Sequence, residues 1–132
     1  MVALSPMTVA PVCHVGDPLQ LSCKASVQSL RWSILQVNDQ GTLEDVINSV
    51  LIESSDNNQM KQREMDSTTF IFTRISTLGV SPLITTLSID SVSIGFNGTV
   101  VRCSDVVNST TSASTMIYII SDANSTITLS KL

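Results

Sequence analysis

Charged side chains are scarce. Asp, Glu, Lys and Arg make up 14% of the 132 residues, against roughly a quarter in an average globular protein. The seven Lys and Arg are scattered and form no basic run. A surface that tracks a polyanion needs such a run, so nucleic acid is not an expected partner. An anionic membrane surface matches a chain of net charge −4 equally poorly. Long apolar stretches are missing too. The longest, Met116-Ile117-Tyr118-Ile119-Ile120, is far below the roughly 20 residues of a spanning helix. Met1 to Ala10 has neither the basic end nor the long apolar centre of a secretion signal. An extracellular role therefore implies a mature piece or an excised domain whose targeting signals lie outside this sequence.

Catalytic and metal-binding patterns are absent as well. His14 is the only histidine, and Cys13 precedes it. Neighbours along a strand point to opposite faces, so the two cannot share a proton as a nucleophile and base. One histidine with no second nitrogen or thiolate ligand also argues against zinc. Asp56-Asn57-Asn58 lacks the glycine and the distal glutamate of a calcium loop. No Gly-X-Ser-X-Gly elbow occurs. The acidic residues Asp39, Glu44, Asp45, Glu53, Asp56, Asp66, Asp90, Asp105 and Asp122 are dispersed, and no motif marks a catalytic pair among them. The expectation is a chain with no catalytic residues, no cofactor and no metal.

In place of charge the chain has hydroxyls: 21 Ser and 14 Thr. With frequent Val and Ile, this composition favours strands over helices. Alternation of apolar and polar residues dominates. Gly16-Asp17-Pro18 opens a run, Leu19 to Ala25, with Leu19, Leu21, Cys23 and Ala25 on one face. Leu30 to Ile34 puts Leu30, Trp32 and Ile34 inward, and Asn38-Asp39-Gln40-Gly41 is a turn. Thr42 to Ile52 is ambiguous. Its Leu43, Val46, Ile47, Val50, Leu51 spacing has a helical period, but its strand neighbours and its Val and Ile favour a strand. Ser54 to Ser67 is polar and reads as an exposed excursion. Further strands are expected over Thr68 to Thr73, Leu83 to Ile89, Thr99 to Val107 and Ser114 to Ile120, with a corner at Gly95-Phe96-Asn97-Gly98. Eight or nine short strands joined by turns imply an all-β, antiparallel two-sheet sandwich over residues 1–120, with 121–132 a linker or tail.

Three cysteines, at 13, 23 and 103, have none of the close spacings of zinc or redox motifs. Two of them sit in strand-like contexts 80 residues apart, which suggests a bridge between distant strands. Three Asn-X-Ser/Thr sequons, at Asn97, Asn108 and Asn124, fit a secreted chain. Asn108 falls in a turn and Asn124 in the tail, open to glycosylation. Asn97 falls at the corner, where its side chain is placed to brace the turn.

Cys23 follows a Gly-Asp-Pro turn and Leu-X-Leu. Trp32 lies on the next strand. Cys103 lies on a late strand, preceded by Leu87-X-Ile89-X-X-Val92 and a corner. This constellation resembles the immunoglobulin superfamily over about residues 5–120. The resemblance implies a Cys23–Cys103 disulfide joining the two sheets, with Trp32 packed on it. The long gap between the cysteines leaves room for two extra strands and so resembles the variable-type set. There are departures. Val101 stands where the family has its corner tyrosine, and Asn97 stands for its aspartate, which weakens any ion pair from Arg74, or from another arginine of the family's D strand, to a hydrogen bond. The corner is one residue longer than usual. Trp32 follows Cys23 by only nine residues, so the first binding loop is short. The string Asn97-Gly98-Thr99-Val100-Val101-Arg102-Cys103-Ser104-Asp105 is also similar to immunoglobulin-like modules of cell-surface receptors of early-branching animals such as sponges, receptor tyrosine kinase ectodomains among them.

What the resemblance implies is an extracellular recognition or adhesion module of a membrane-anchored receptor. It would bind a protein ligand, or weakly a second copy, through a sheet face or loops. A structural spacer is the alternative. The outward residues of the expected sheet include Arg31, Ser33, Val100, Arg102 and one face of Ser114 to Ile120. Cys13 has three readings: a buried free thiol, a bridge to another chain or segment, or a reactive thiol.

Overall fold

A computed structural model describes residues 2–5 and 12–120, with the side chains of 3–5 left out. Twelve strands occur among the described residues: β1 (Ala3–Ser5), β2 (Val12–His14), β3 (Leu19–Ala25), β4 (Ser29–Val37), β5 (Leu43–Asp45), β6 (Val50–Glu53), β7 (Met60–Met65), β8 (Thr68–Arg74), β9 (Leu83–Ile89), β10 (Val100–Asp105), β11 (Ser112–Met116) and β12 (Tyr118–Ile120). The only helical element described is one 3-10 turn, Ile94–Phe96.

The strands make two five-stranded antiparallel sheets. The first runs β1-β3-β9-β8-β7. The second runs β11-β10-β4, with β5 and β6 both on the far side of β4. A short parallel pair, β2 with β12, stands apart. Alternation is the reason for the layers. Strand β3 buries every second residue, and β8 buries Thr68, Phe70, Phe72 and Arg74. Leu30, Trp32 and Ile34 of β4 are fully buried, as are Val101 and Cys103 of β10. The two inner faces share one apolar core, in the arrangement of a β-sandwich.

Cys23 of the first sheet is bonded to Cys103 of the second, with Cα atoms 6.5 Å apart. In register Cys103 faces Trp32 on β4, and Cys23 faces Thr85 on β9. Trp32 crosses the gap. Its indole Nε1–H donates to Thr85 Oγ1 at 3.2 Å, and that hydroxyl donates to the Thr73 carbonyl at 2.8 Å. Its ring centroid lies 6.0 Å from that of Phe72. Phe70 and Phe96 make a second tilted pair at 5.6 Å.

Several elements differ from the sequence expectation. Thr42 to Ile52 is one strand direction cut in two. Asp45 pairs with Leu35 and Val50 with Trp32, so four residues, 46–49, stand opposite two, 33 and 34. The Asp45 carboxylate holds this bulge by accepting the N–H groups of Ile47 (2.9 Å) and Ser49 (3.0 Å), and Asn48 adopts a φ of 61°. The insertion of two keeps the phase on either side, but inside the bulge Ile47 is buried out of phase with Val50 and Ile52, which is why the apolar spacing there mimics a helix.

The supposed excursion Ser54 to Ser67 contains a full strand, β7, paired with β8 through a two-residue turn at Asp66 and Ser67. Both turn residues have positive φ, 50° and 66°, the condition for a tight hairpin of matching twist. Strand β7 alternates exposed with half-buried residues, and its half-buried Lys61 and Arg63 hid the pattern. Their long side chains reach the other sheet. Lys61 Nζ donates to Leu51 O at 2.7 Å and Arg63 Nε to Asn48 O at 3.3 Å. These contacts cap carbonyls on the neighbouring sheet edge. The expected last strand is likewise two strands, β11 and β12, with buried Ile117 between them.

Arg74 does not reach Asn97. Its Nε donates to Ser76 O at 3.1 Å and its Nη1 to Asp56 O. The Asp56 carboxyl is held below its ordinary pKa, first by the Asn58 N–H and then by Lys61 at 3.4 Å.

Candidate functional site

The outer face of the second sheet holds the residues that the sequence marked for contact. Because Leu30, Trp32 and Ile34 point inward, Arg31, Ser33, Leu35 and Val37 point out. Cross-strand register sets their neighbours. Met116, Val100, Leu35 and Asp45 form one row; Ser114, Arg102 and Ser33 form the next; Ser112, Ser104, Arg31 and Leu51 form a third. Val37 pairs with Leu43 at the turn end of β4.

The face therefore has two halves. Near the Asn38–Thr42 turn it is apolar, with Val37 65%, Leu43 47% and Met116 39% exposed. Tyr118 and Val12, paired on β12 and β2, are exposed nearby along the same strand direction. Toward the opposite loops it is polar and carries Arg31 and Arg102. Arg102 Nε donates to Ser114 Oγ at 3.1 Å, leaving the rest of its guanidinium half-exposed at the surface. The Asp45 carboxylate, in the row of Leu35, accepts the two N–H groups of the bulge.

Arg31, Ser33, Val100 and Arg102 thus come together on one face. Leu35, Val37 and Leu43 were missed. Carrying the alternation of β4 three residues beyond Ile34 would have put Leu35 and Val37 beside Arg31 and Ser33. Cys23, Trp32 and Cys103 are fully buried and hold the layers rather than touch a ligand. Asn97 and Asn108 are exposed at the two ends of β10. Asn124 lies outside the described residues.

Cys13 and His14 do point apart: Cys13 is buried, while Val12 and His14 on either side are exposed. The thiol is free, and burial pushes its pKa up, with the Asp17 charge adding to the effect. Among the described residues no three His, Cys, Asp or Glu side chains gather as metal ligands would. A shallow depression of about 290 Å³ is lined by Pro18, Leu19, Gln20, Ser88, Ile89 and Asp90. Its lining has one carboxylate, Asp90, and one hydroxyl, Ser88, with no histidine or lysine. No described helix is long and apolar enough to cross a membrane.

No protein-family model matches the chain, and no curated protein matches it.

Proposed function

We propose that this chain is an extracellular, immunoglobulin-like recognition module of variable-type likeness, part of a larger cell-surface receptor or adhesion protein. The observation that carries the reading is the apolar half of the second sheet's outer face. Val37, Leu43 and Met116 stand exposed on rigid, paired strands, above buried Leu35. A preorganised apolar centre with a polar margin suits protein contact, because little ordering cost opposes binding. Arg31 and Arg102 sit on the margin, where charge sets orientation and association rate more than affinity.

The disulfide between layers and the buried Trp32 on β4 support the family likeness. One feature departs from it. The variable-type pattern adds both extra strands to the sheet that holds Trp32 and Cys103. Here β5 and β6 extend that sheet, while β7 pairs with β8 in the other.

The partner is a protein, either a ligand or weakly a second copy of this domain. The test is sedimentation of the chain at high concentration, together with ligand capture by the full ectodomain, for Val37→Glu and Arg102→Glu. Val37→Glu is expected to abolish association. Arg102→Glu is expected to weaken it and to change its salt dependence, both with unaltered melting. A strict monomer whose ectodomain captures ligand unchanged in both variants would make the domain a spacer.

A further inference from the structure

The two described sequons have opposite fates on folding. Asn108 lies in the turn between β10 and β11. Its Oδ1 accepts the Thr110 N–H at 3.3 Å and the Thr110 hydroxyl at 2.6 Å. The Thr111 N–H closes the turn on the Asn108 carbonyl at 2.9 Å. The whole triplet, Asn108 to Thr110, is exposed, and Val107 before it is 89% exposed. Folding thus gathers the acceptor amide and the hydroxyl of this sequon into one compact surface turn.

The Asn97 triplet is taken into the fold. Asn97 Oδ1 accepts the Ile119 N–H at 2.8 Å. The Gly98 N–H donates to Ile117 O, and the Ile117 N–H to Thr99 O, each at 2.8 Å. Thr99 is fully buried, and its hydroxyl accepts Gln36 Nε2 at 2.9 Å. Sequon recognition requires that hydroxyl, and the fold encloses it. The Asn97 and Thr99 N–H groups close locally on Ile94 O and Phe96 O, but every distant partner except Gln36 lies on residues 117–119, so the triplet is enclosed only after that part of the chain docks.

We infer that Asn108 is an N-glycan acceptor in the folded and the unfolded chain alike, whereas Asn97 is an acceptor only until Thr99 is buried. The transfer forms one bond, from Nδ2 to the anomeric carbon of a sugar carried on a lipid pyrophosphate. It breaks the bond from that carbon to the pyrophosphate oxygen. The lipid pyrophosphate leaves, one amide proton passes to a base of the transferase, and no electrons are exchanged. A sugar on Asn108 stands at the loop end of β10, away from Val37 and Leu43. A sugar on Asn97 would stand beside Ile119, next to exposed Tyr118. Folding rate then determines whether the apolar half of the face stays uncovered.

That this happens in the native setting rests on the extracellular reading, but acceptor competence does not. The full chain is expressed in animal cells behind an added secretion signal, and each sequon is read by site-resolved mass spectrometry. The same is done for Cys23→Ser, which removes the inter-sheet bond 74 residues before Asn97. Asn108 is expected to be modified in both. Asn97 is expected to be sparse in the oxidised chain and at least to double in the variant. Because the variant can be degraded, purified chain, folded or reduced and unfolded, is also offered to the transferase with lipid-linked sugar. Equal modification of both sites in folded chain, or an Asn97 that stays unmodified when unfolded, overturns the inference. The receptor reading fails separately, if the natural parent protein never enters the secretory pathway.

Discussion

Thr85→Val probes the hydrogen-bond chain that ties the two sheets through Trp32. The substitution keeps the branched shape and removes only the hydroxyl. Thr85 and Trp32 are both fully buried, so water cannot replace the lost partner. The indole N–H, now 3.2 Å from a methyl position, becomes an unsatisfied donor, costing about 1–3 kcal/mol. The Thr73 carbonyl loses the 2.8 Å donor. The added methyl returns at most about 0.8 kcal/mol of apolar burial. The net expectation is a loss of about 2 kcal/mol. For a domain of this size that is a fall in Tm of roughly 6–10 °C. Urea titration followed by circular dichroism and by the fluorescence of the sole tryptophan measures it. Thr85→Ser, which retains both hydrogen bonds, is expected to lose about half as much, from its missing methyl. In the background of Trp32→Phe, Thr85→Val should cost about 1 kcal/mol less than in the native chain. A Thr85→Val chain as stable as the native one, or a cycle with no coupling, would refute the claim that this chain of hydrogen bonds holds the layers.

The Cys23–Cys103 bond closes a loop of 80 residues, for which the chain-entropy estimate is an upper value of about 4.5 kcal/mol. Reduction should lower the urea midpoint accordingly, and peptide mapping without reductant should recover the 23–103 pair with Cys13 unlinked. Cys13 should alkylate slowly in folded chain and quickly in urea, since its raised pKa keeps the buried thiol protonated. The same shift makes stability fall as pH rises above the ordinary thiol pKa, because the unfolded chain loses that proton first. Cys13→Ala should remove this alkaline loss, as measured by urea midpoints across the range.

Much of the fold was legible because period-two alternation is a direct record of burial. Leu19 to Ala25 matches β3 residue for residue, and the inward set Leu30, Trp32, Ile34 is fully buried. The signal failed where side chains or register broke that link. Lys61 and Arg63 are half-buried along their stems while their charged ends cap distant carbonyls, so β7 looked like a solvated loop. The bulge at 46–49 is set by the Asp45 carboxylate and by register against β4, a long-range fact that no local window contains. Of the candidate face, the Arg and Ser positions followed from phase. In its apolar half Val37 follows from the same phase carried further, but Leu43 does not, because it comes beside Val37 only through the pairing of β5 with β4.

The parallel pairing of β2 with β12 also has a mechanical consequence. Tyr118, Ile119 and Ile120 lie beside Val12, Cys13 and His14 with both strands running the same way, and the Val15 N–H extends the pair to Ile120 O at 3.0 Å. Tension applied to the chain before residue 12 and after residue 120 pulls the two strands past each other along their length. Their hydrogen bonds are then loaded together rather than opened one after another, and rupture demands that several fail at once. Once they fail, residues 23–103 remain a closed covalent ring. A tether built from this module would resist, yield abruptly by a short fixed length, and stop.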